Sequence, residues 1–388
     1  MKQPKIRFKG FSGEWESHSL KEKDFTILAG GDIDKNLLKK KGKFPVIANA
    51  LSNDGVVGFY DNVYRVKAPA VSVTGRGEIG HAQARKISFT PVVRLLTIES
   101  KHDVDFLSNA INCHKVFHES TGVPQLTIDK LSQYTISFPK VIEEEKVIGN
   151  YIVSIDSLIQ STAKKIESLK QVKAASLQSM FPQEGETTPR VRFKGFEGEW
   201  EKVTLGDCLI INNERNQNNV YGINNVLSVS DEVGVVNQIK LLGRSYAGKS
   251  VANYRVLKKN QIVYTKSPLK SKPYGIIKVN KGSTGIVSVL YAVYDTKENV
   301  CPDYIHYYFE PTYRINNYLL PLINKGAKNT INISDEMALT GFIWVPSYKE
   351  QEKIAEYMQS LDSQITLQSQ RLEKLKQIKS ACLDNMFV

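Results

Sequence analysis

Two stretches of this chain place apolar residues in alternating steps of four and three. In the first, Ile148, Ile152, Ile155 and Ile159 are followed by a polar Thr162 and then by Ile166 and Leu169. In the second, Ile354, Met358, Leu361 and Ile365 are followed by Gln368, Leu372 and Leu375. The polar break falls at the same step in both. A seam with this period predicts two long helices, and two matching seams in one chain predict an intramolecular coiled coil. Pro139 and Pro346 precede the segments, and Glu143, Glu144, Glu145, Glu350 and Glu352 crowd their first turns. Lys170, Lys173, Lys376 and Lys379 lie nearer their C-terminal ends, as the helix dipole favours, and Pro182 stops the first helix. A helix of about 35 residues is about 50 Å long. Half-sites one turn apart on B-DNA lie about 34–36 Å apart, so such a rod is long enough to act as a ruler.

Elsewhere the pattern changes to short β-branched and aromatic runs (PVIANA, VVGFY, AVSVT, IVYTK, YGIIKV, VSVLYAVY) separated by Gly, Asn and Asp turns. These predict strand-rich domains within 20–140 and 202–347. The fold class expected is α+β, with two such domains and two long helices.

The chain also repeats itself. Residues 4–16 (PKIRFKGFSGEWE) and 189–201 (PRVRFKGFEGEWE) agree at 10 of 13 positions, and 148–181 agrees with 354–387 at 15 of 34. Like borders therefore enclose unlike interiors. The division expected is 1–140 for a first opener and domain, 141–181 for a central helix and 182–188 for a linker. A second opener and domain at 189–347 and a final helix at 348–388 complete it.

Composition narrows the class. Of 388 residues, 41% are apolar and 24% charged, as in a soluble globular protein, and no run of 18 apolar residues or apolar leader core occurs. A cytoplasmic location is expected. Cys113, Cys208, Cys301 and Cys382 are scattered and read as reduced structural thiols. His114 and His118 have helical metal-ligand spacing but lack an evident third ligand. The net charge of +12 favours an anionic partner, nucleic acid ahead of membrane.

Basic, amide and aromatic residues gather in loops of both interiors, TGRGEIGHAQARK at 74–86 and TKSPLKSKPYG at 265–275. Arg, Asn and Gln bond base edges, while Lys, Ser and Thr hold phosphates. The candidate DNA contacts are Asn49, Asn53, Arg76, Thr121 and Gln125 in the first interior. In the second they are Lys266, Ser267, Lys270, Lys272, Tyr274 and Lys328. Tyr64-Arg65-Val66 aligns with Tyr254-Arg255-Val256, which sets the two loops in matching places.

Two motifs point elsewhere. GRSYAGKS at 243–250 fits a phosphate-binding P-loop, and GRGEIG at 75–80 fits a dinucleotide fingerprint, but each requires a following helix. After the first, VANYRVLKKN leaves room for two turns at best; after the second comes another strand. A P-loop enzyme using Lys249 and a coiled-coil assembly adaptor are the rival readings. No amino-methyltransferase (N/D)PP(Y/F) motif and no convincing catalytic triad occur, so the chain reads as a non-catalytic binder.

The RFKGFxGEW openers, the loop Gly122-Val123-Pro124-Gln125-Leu126-Thr127, the P-x-x-x-E-(E/Q)-x-K-(I/V) helix starts and the ends ESLKQVKAASLQSMF and EKLKQIKSACLDNMF resemble the specificity subunit of type I restriction–modification systems. The resemblance covers essentially the whole chain, although the second half has Asn329 where the first has Gln125. It implies two target-recognition domains held apart by antiparallel helices in a pseudo-two-fold repeat, each reading half of a split DNA target across an unread spacer. It implies partners as well: methyltransferase (modification) subunits that use S-adenosylmethionine, and restriction (translocase–nuclease) subunits that use ATP. Neither cofactor is then expected in this chain, nor any metal.

Overall fold

The computed structural model describes residues 3–114, 124–248, 250–325 and 331–388. The chain divides into two compact units, one of residues 1–164 with 368–388 and the other of 165–367. Each of the two long helices contributes to both.

In the first unit, β1 (Glu16–Ser19) pairs antiparallel with β9 (Thr135–Phe138), directly before the helix α3 (Ile142–Ser179). Between them lie β2 (Phe25–Ala29), β3 (Phe44–Ile47), β4 (Val56–Tyr60), β5 (Ala70–Thr74), β6 (Ala82–Arg85), β7 (Thr90–Pro91) and β8 (Leu95–Ser100), then the helices α1 (Val104–Asn112) and α2 (Ile128–Ser132). They form a sheet of order β2-β8-β5-β6 and a smaller one of order β4-β3-β7. Strand β5, AVSVT, is buried along its whole length, as suits a run of small and β-branched residues in a sheet interior. Asp103 and Thr127 cap α1 and α2 by accepting from the amides of Phe106 and Lys130.

The second unit repeats this plan. Strand β10 (Glu201–Thr204) pairs with β21 (Phe342–Val345), directly before α8 (Tyr348–Met386). Thr204 and Asp207 form a capping box on the single turn α4 (Leu205–Cys208). The sheet of β11 (Leu209–Ile211), β18 (Ala292–Thr296), β15 (Ile262–Tyr264) and β16 (Ile277–Val279) has the order β11-β18-β15-β16, matching the four-stranded sheet of the first unit. Here the intervening chain builds a hairpin of β12 (Leu227–Ser230) and β13 (Gly234–Asn237), then a short helix α5 (Gln238–Leu242) capped by Asn237 and ended by Gly243 at φ 76°. Strand β14 (Arg255–Leu257) pairs with β17 (Gly285–Val287); α6 (Pro302–Tyr308) and α7 (Thr312–Leu319) follow, with the short pair β19 (Asn324–Lys325) and β20 (Ile331–Asn332).

The repeated borders have a structural reason. Arg7 grips Glu144 with two hydrogen bonds of 2.7 Å and donates to the carbonyls of Gly13 and Ser12. Arg192 grips Glu350 at 2.7 and 2.8 Å and donates to the carbonyls of Gly198 and Glu197. Both carboxylates are fully buried in the first turn of a long helix, at 0% and 1% exposure. Each opener is therefore clamped to the helix that closes its own domain.

The helix ends are exchanged between the copies. In the first unit Ile148, Ile152 and Ile155 share a core with Trp15, Phe106, Leu107, Cys382 and Met386. In the second, Ile354, Met358 and Leu361 share one with Trp200, Tyr304, Leu177, Met180 and Phe181. The seams thus do more than the coiled coil expected of them, since their first halves complete domain cores along with the last turns of the other helix. Within each unit the helix segments run antiparallel. Lys379 donates to Asp156 at 2.6 Å, and Lys173 donates to Asp362 at 2.6 Å and to Glu310 at 2.5 Å. These are the same two positions of the repeat, paired reciprocally. The backbone follows suit, with Ile6 N–H on the Asn385 carbonyl and Val191 N–H on that of Ser179.

No helix among the described residues is long and apolar enough to cross a membrane.

Candidate nucleic-acid interface

In the first unit, four separate segments meet at the loop that joins β5 to β6. Thr74 closes this loop: its hydroxyl donates to the Glu78 carbonyl and accepts from the His81 amide at 3.0 Å. At the base, Gly75 N–H donates to Asn49 Oδ1 (2.8 Å) and Leu126 N–H donates to the Gly75 carbonyl (3.0 Å). A Cβ at residue 75 would lie 2.2 Å from the Arg94 carbonyl oxygen, so only glycine lets these backbones approach. The segments carrying Asn49, Asn53, Arg76, Arg94 and Gln125 are thereby brought together. Asn53, Arg76 and Gln125 are exposed there.

Asn49 has a different position from the other three. Its amide also donates to the Val93 carbonyl at 3.0 Å, so both ends of the group are engaged with backbone. It pins the loop and has little hydrogen-bonding capacity left for a base. Arg85, behind the loop, donates to Ser72 Oγ at 2.8 Å, and burial pushes its guanidinium down to about 10.

The second unit closes its matching loop in the same way, with Thr265 Oγ1 accepting from the Ile276 amide at 3.1 Å. The Tyr264 hydroxyl donates to the Tyr274 carbonyl at 2.7 Å, while the side chain of Tyr274 packs half-buried on the core. Gly275 at φ 94° sits against the Tyr264 ring, where a Cβ would meet it at 2.9 Å. Lys270 is exposed at the tip, and Ser267 turns back to the Thr265 carbonyl at 3.2 Å.

Lys266 and Lys272 are both committed within the domain. Lys266 pairs with Asp335, which also takes Arg255 at 2.6 Å. Burial alone would raise the Asp335 carboxyl, but the two cations hold it below its ordinary value. Lys272 is only 3% exposed and donates to Asp231 at 2.6 Å and to the Glu310 carbonyl at 2.8 Å. The expectation that Lys272 contacts DNA is corrected by this geometry: the ammonium is an internal anchor that ties the loop to the hairpin and to α6. A basic residue among prolines and serines looks solvated in sequence, and only the fold brings Asp231 to it. Thr121 and Lys328 lie outside the described residues.

The competing motifs are also resolved in part. Lys249 is outside the described residues, but Ser250–Tyr254 forms no helix and leads straight into β14, so the element that makes a P-loop is missing. GRGEIG is the hairpin loop between two antiparallel strands, as expected, and not the start of a helix. His118 is outside the described residues; His114 donates from Nε2 to the Thr135 carbonyl at 2.9 Å and stacks on Tyr134. No cluster of three metal-ligating side chains occurs among the described residues, and the cysteines are free.

Two exposed features escaped the reading of the sequence. Arg244 stacks on Tyr246 at 4.7 Å, on a loop held by Gln238 through the Tyr246 amide. In the first unit Lys43 lies 5.1 Å from the centre of the Phe44 ring, which packs on Tyr64 at 4.9 Å.

Residues 13–171 match the family model described as the type I restriction modification DNA specificity domain. That segment, which takes in the first unit's sheets and most of α3, therefore carries the likeness to a type I DNA specificity domain. A Mycoplasma pneumoniae protein named as a type I specificity subunit is 27% identical over 139 residues, 34% of this chain and 38% of that relative. The match therefore spans well under half of the relative's length. The crystal structure of the type I restriction–modification S subunit from M. genitalium shares the fold, with a TM-score of 0.63 at 14% identity over 100% of this chain and 99% of that one. The shared borders of the two halves carry the clamp and the exchanged helix ends described above.

Proposed function

We propose that this chain is the sequence-reading, non-catalytic subunit of a type I restriction–modification complex, with each unit reading one half of a bipartite DNA target. The observation that carries the reading is the duplicated scaffold: the same Thr-closed hairpin loop occurs in each unit, at the same place in the same sheet, with different residues on it. Conserving a frame while changing what it presents is what two readers of two half-sites require. Exposed Arg76, Asn53 and Gln125 on one loop set, and Lys270 on the other, supply base-edge and phosphate donors. The net charge of +12 favours DNA at long range.

The partners on this reading are double-stranded DNA, modification subunits carrying S-adenosylmethionine and restriction subunits carrying ATP, with the long helices as the docking surface for the modification subunits. The test is to reconstitute the chain with modification subunits and sequence the methylated products of a random DNA library. A split motif with a fixed unread spacer is expected. A continuous motif, or methylation with no sequence preference from active partners, would overturn the proposal.

A further inference from the structure

The first unit carries a second basic surface apart from the Arg76 loop. Lys35, Lys39, Lys40, Lys41 and Lys43 lie within nine residues and are all exposed. The segment is an ordered turn. Lys39 and Phe59 exchange backbone hydrogen bonds of 2.9 Å in both directions. Gly42 packs so closely on the neighbouring strand that a Cβ would meet the Phe59 Cβ at 2.8 Å and Asp61 Oδ1 at 2.9 Å. One of the five cations, Lys39, is neutralised by Asp61. Lys43 is held against the Phe44–Tyr64 pair, with Tyr64 itself 45% exposed.

The placement matters as much as the charge. The turn enters β3 at Phe44, while Asn49, which pins the Arg76 loop, lies just beyond the other end of that strand at Ile47. Four residues of strand span about 13 Å, roughly four base-pair steps of duplex. Lys39, Lys40, Lys41 and Lys43 sit on short, fixed backbone with only Gly42 among them, and lysines so placed suit phosphates and carry no sequence information. Residues 75–80, by contrast, carry the single arginine Arg76 on a glycine-rich turn.

We propose that the Lys39–Lys43 turn is a sequence-blind clamp on the phosphate backbone of duplex DNA flanking the half-site read by the first unit. The inference rests on the DNA-reading function proposed above. The Phe44–Tyr64 pair supports the turn from behind and sets the position of Lys43.

The experiment compares the wild-type complex with a Lys40→Ala, Lys41→Ala, Lys43→Ala variant, measuring affinity for cognate and scrambled duplexes across a salt series and the motif methylated. Each lost phosphate contact lowers the salt slope by about 0.9, so the triple variant should lose about 2 to 3 from the slope on both duplexes, with its motif unchanged. An unchanged slope, or a loss confined to the cognate duplex, would overturn the clamp. Lysine-acetylation footprinting of the wild-type complex is the second readout and needs no variant. Protection of Lys40 and Lys41 by DNA is expected, and protection by the modification subunits without DNA would instead make the turn a protein-docking surface. A wild-type complex with no split motif would refute the reading function itself, an outcome distinct from either failure of the clamp.

Discussion

Replacing Glu144 with alanine removes a buried carboxylate that receives two 2.7 Å hydrogen bonds from Arg7. Breaking a buried ion pair by deleting one partner costs about 3–5 kcal/mol. Arg7 is 15% exposed and keeps the Gly13 and Ser12 carbonyls, which softens the loss to about 2–4 kcal/mol. The chain contains its own replicate, because Arg192 and Glu350 repeat the geometry to within 0.1 Å in every bond. Urea unfolding of Glu144→Ala, Arg7→Ala and the double variant gives a coupling energy, and the Arg192–Glu350 cycle gives a second. Trp15 lies in the first core, and Trp200 and Trp344 in or against the second, so tryptophan fluorescence follows the first unit in a Trp200→Phe, Trp344→Phe background and the second in a Trp15→Phe background. Coupling of at least about 1 kcal/mol at both sites is expected. If either cycle is additive within error, the clamp does not explain the repeated openers.

Charge reversal of Asp156 to Lys should weaken the first unit, and adding Lys379→Asp should recover part of the loss, by about 0.5–1 kcal/mol for so exposed a pair; recovery by Lys173→Asp instead would contradict the reciprocal pairing. Asp335→Asn should destabilise the second unit at neutral pH, read by thermal unfolding. Because its two cations depress the folded-state pKa of Asp335, that contribution is present above the ordinary carboxylate range and fades as the pH falls through the lowered value, so wild type and variant should converge in acid. Lys272→Met should perturb the 265–276 loop and stability, while Lys270→Ala should leave stability within about 0.5 kcal/mol and weaken DNA binding. Equal and opposite results for these two lysines would reverse their assigned places.

The sequence carried the frame well and the sites less well. Heptad steps and repeated openers are local patterns, and the helices they predict run from Ile142 to Ser179 and from Tyr348 to Met386. The paired Tyr-Arg-Val segments also fall in equivalent places, with Val66 bridging Phe89 and Val256 pairing Ile286. The exchange of helix ends was not legible, because nothing in a heptad says which core its last turn will complete. Nor was the fate of Lys272 or Lys266, since each depends on an acid distant in sequence, Asp231 or Asp335. Asn49 was singled out for its side chain's base-reading chemistry, and the same chemistry is what lets it brace two backbones. The Lys39–Lys43 turn is not legible in sequence, where a lysine run ordinarily marks a solvated surface; Gly42 packed on Phe59 and the paired Lys39–Phe59 backbone bonds distinguish a fixed turn from a loose one.

The central claim is that two independent readers share one frame, and the most direct test exchanges one reader. Residues 202–347 would be replaced by the corresponding segment of a type I specificity subunit that reads a different target, and the methylomes of hosts expressing each chain with its modification subunits would be sequenced. A split motif in which only one half changes, with the spacer unchanged, is the result the account predicts. Change in both halves, or none in either with the partners shown to be active, would contradict it.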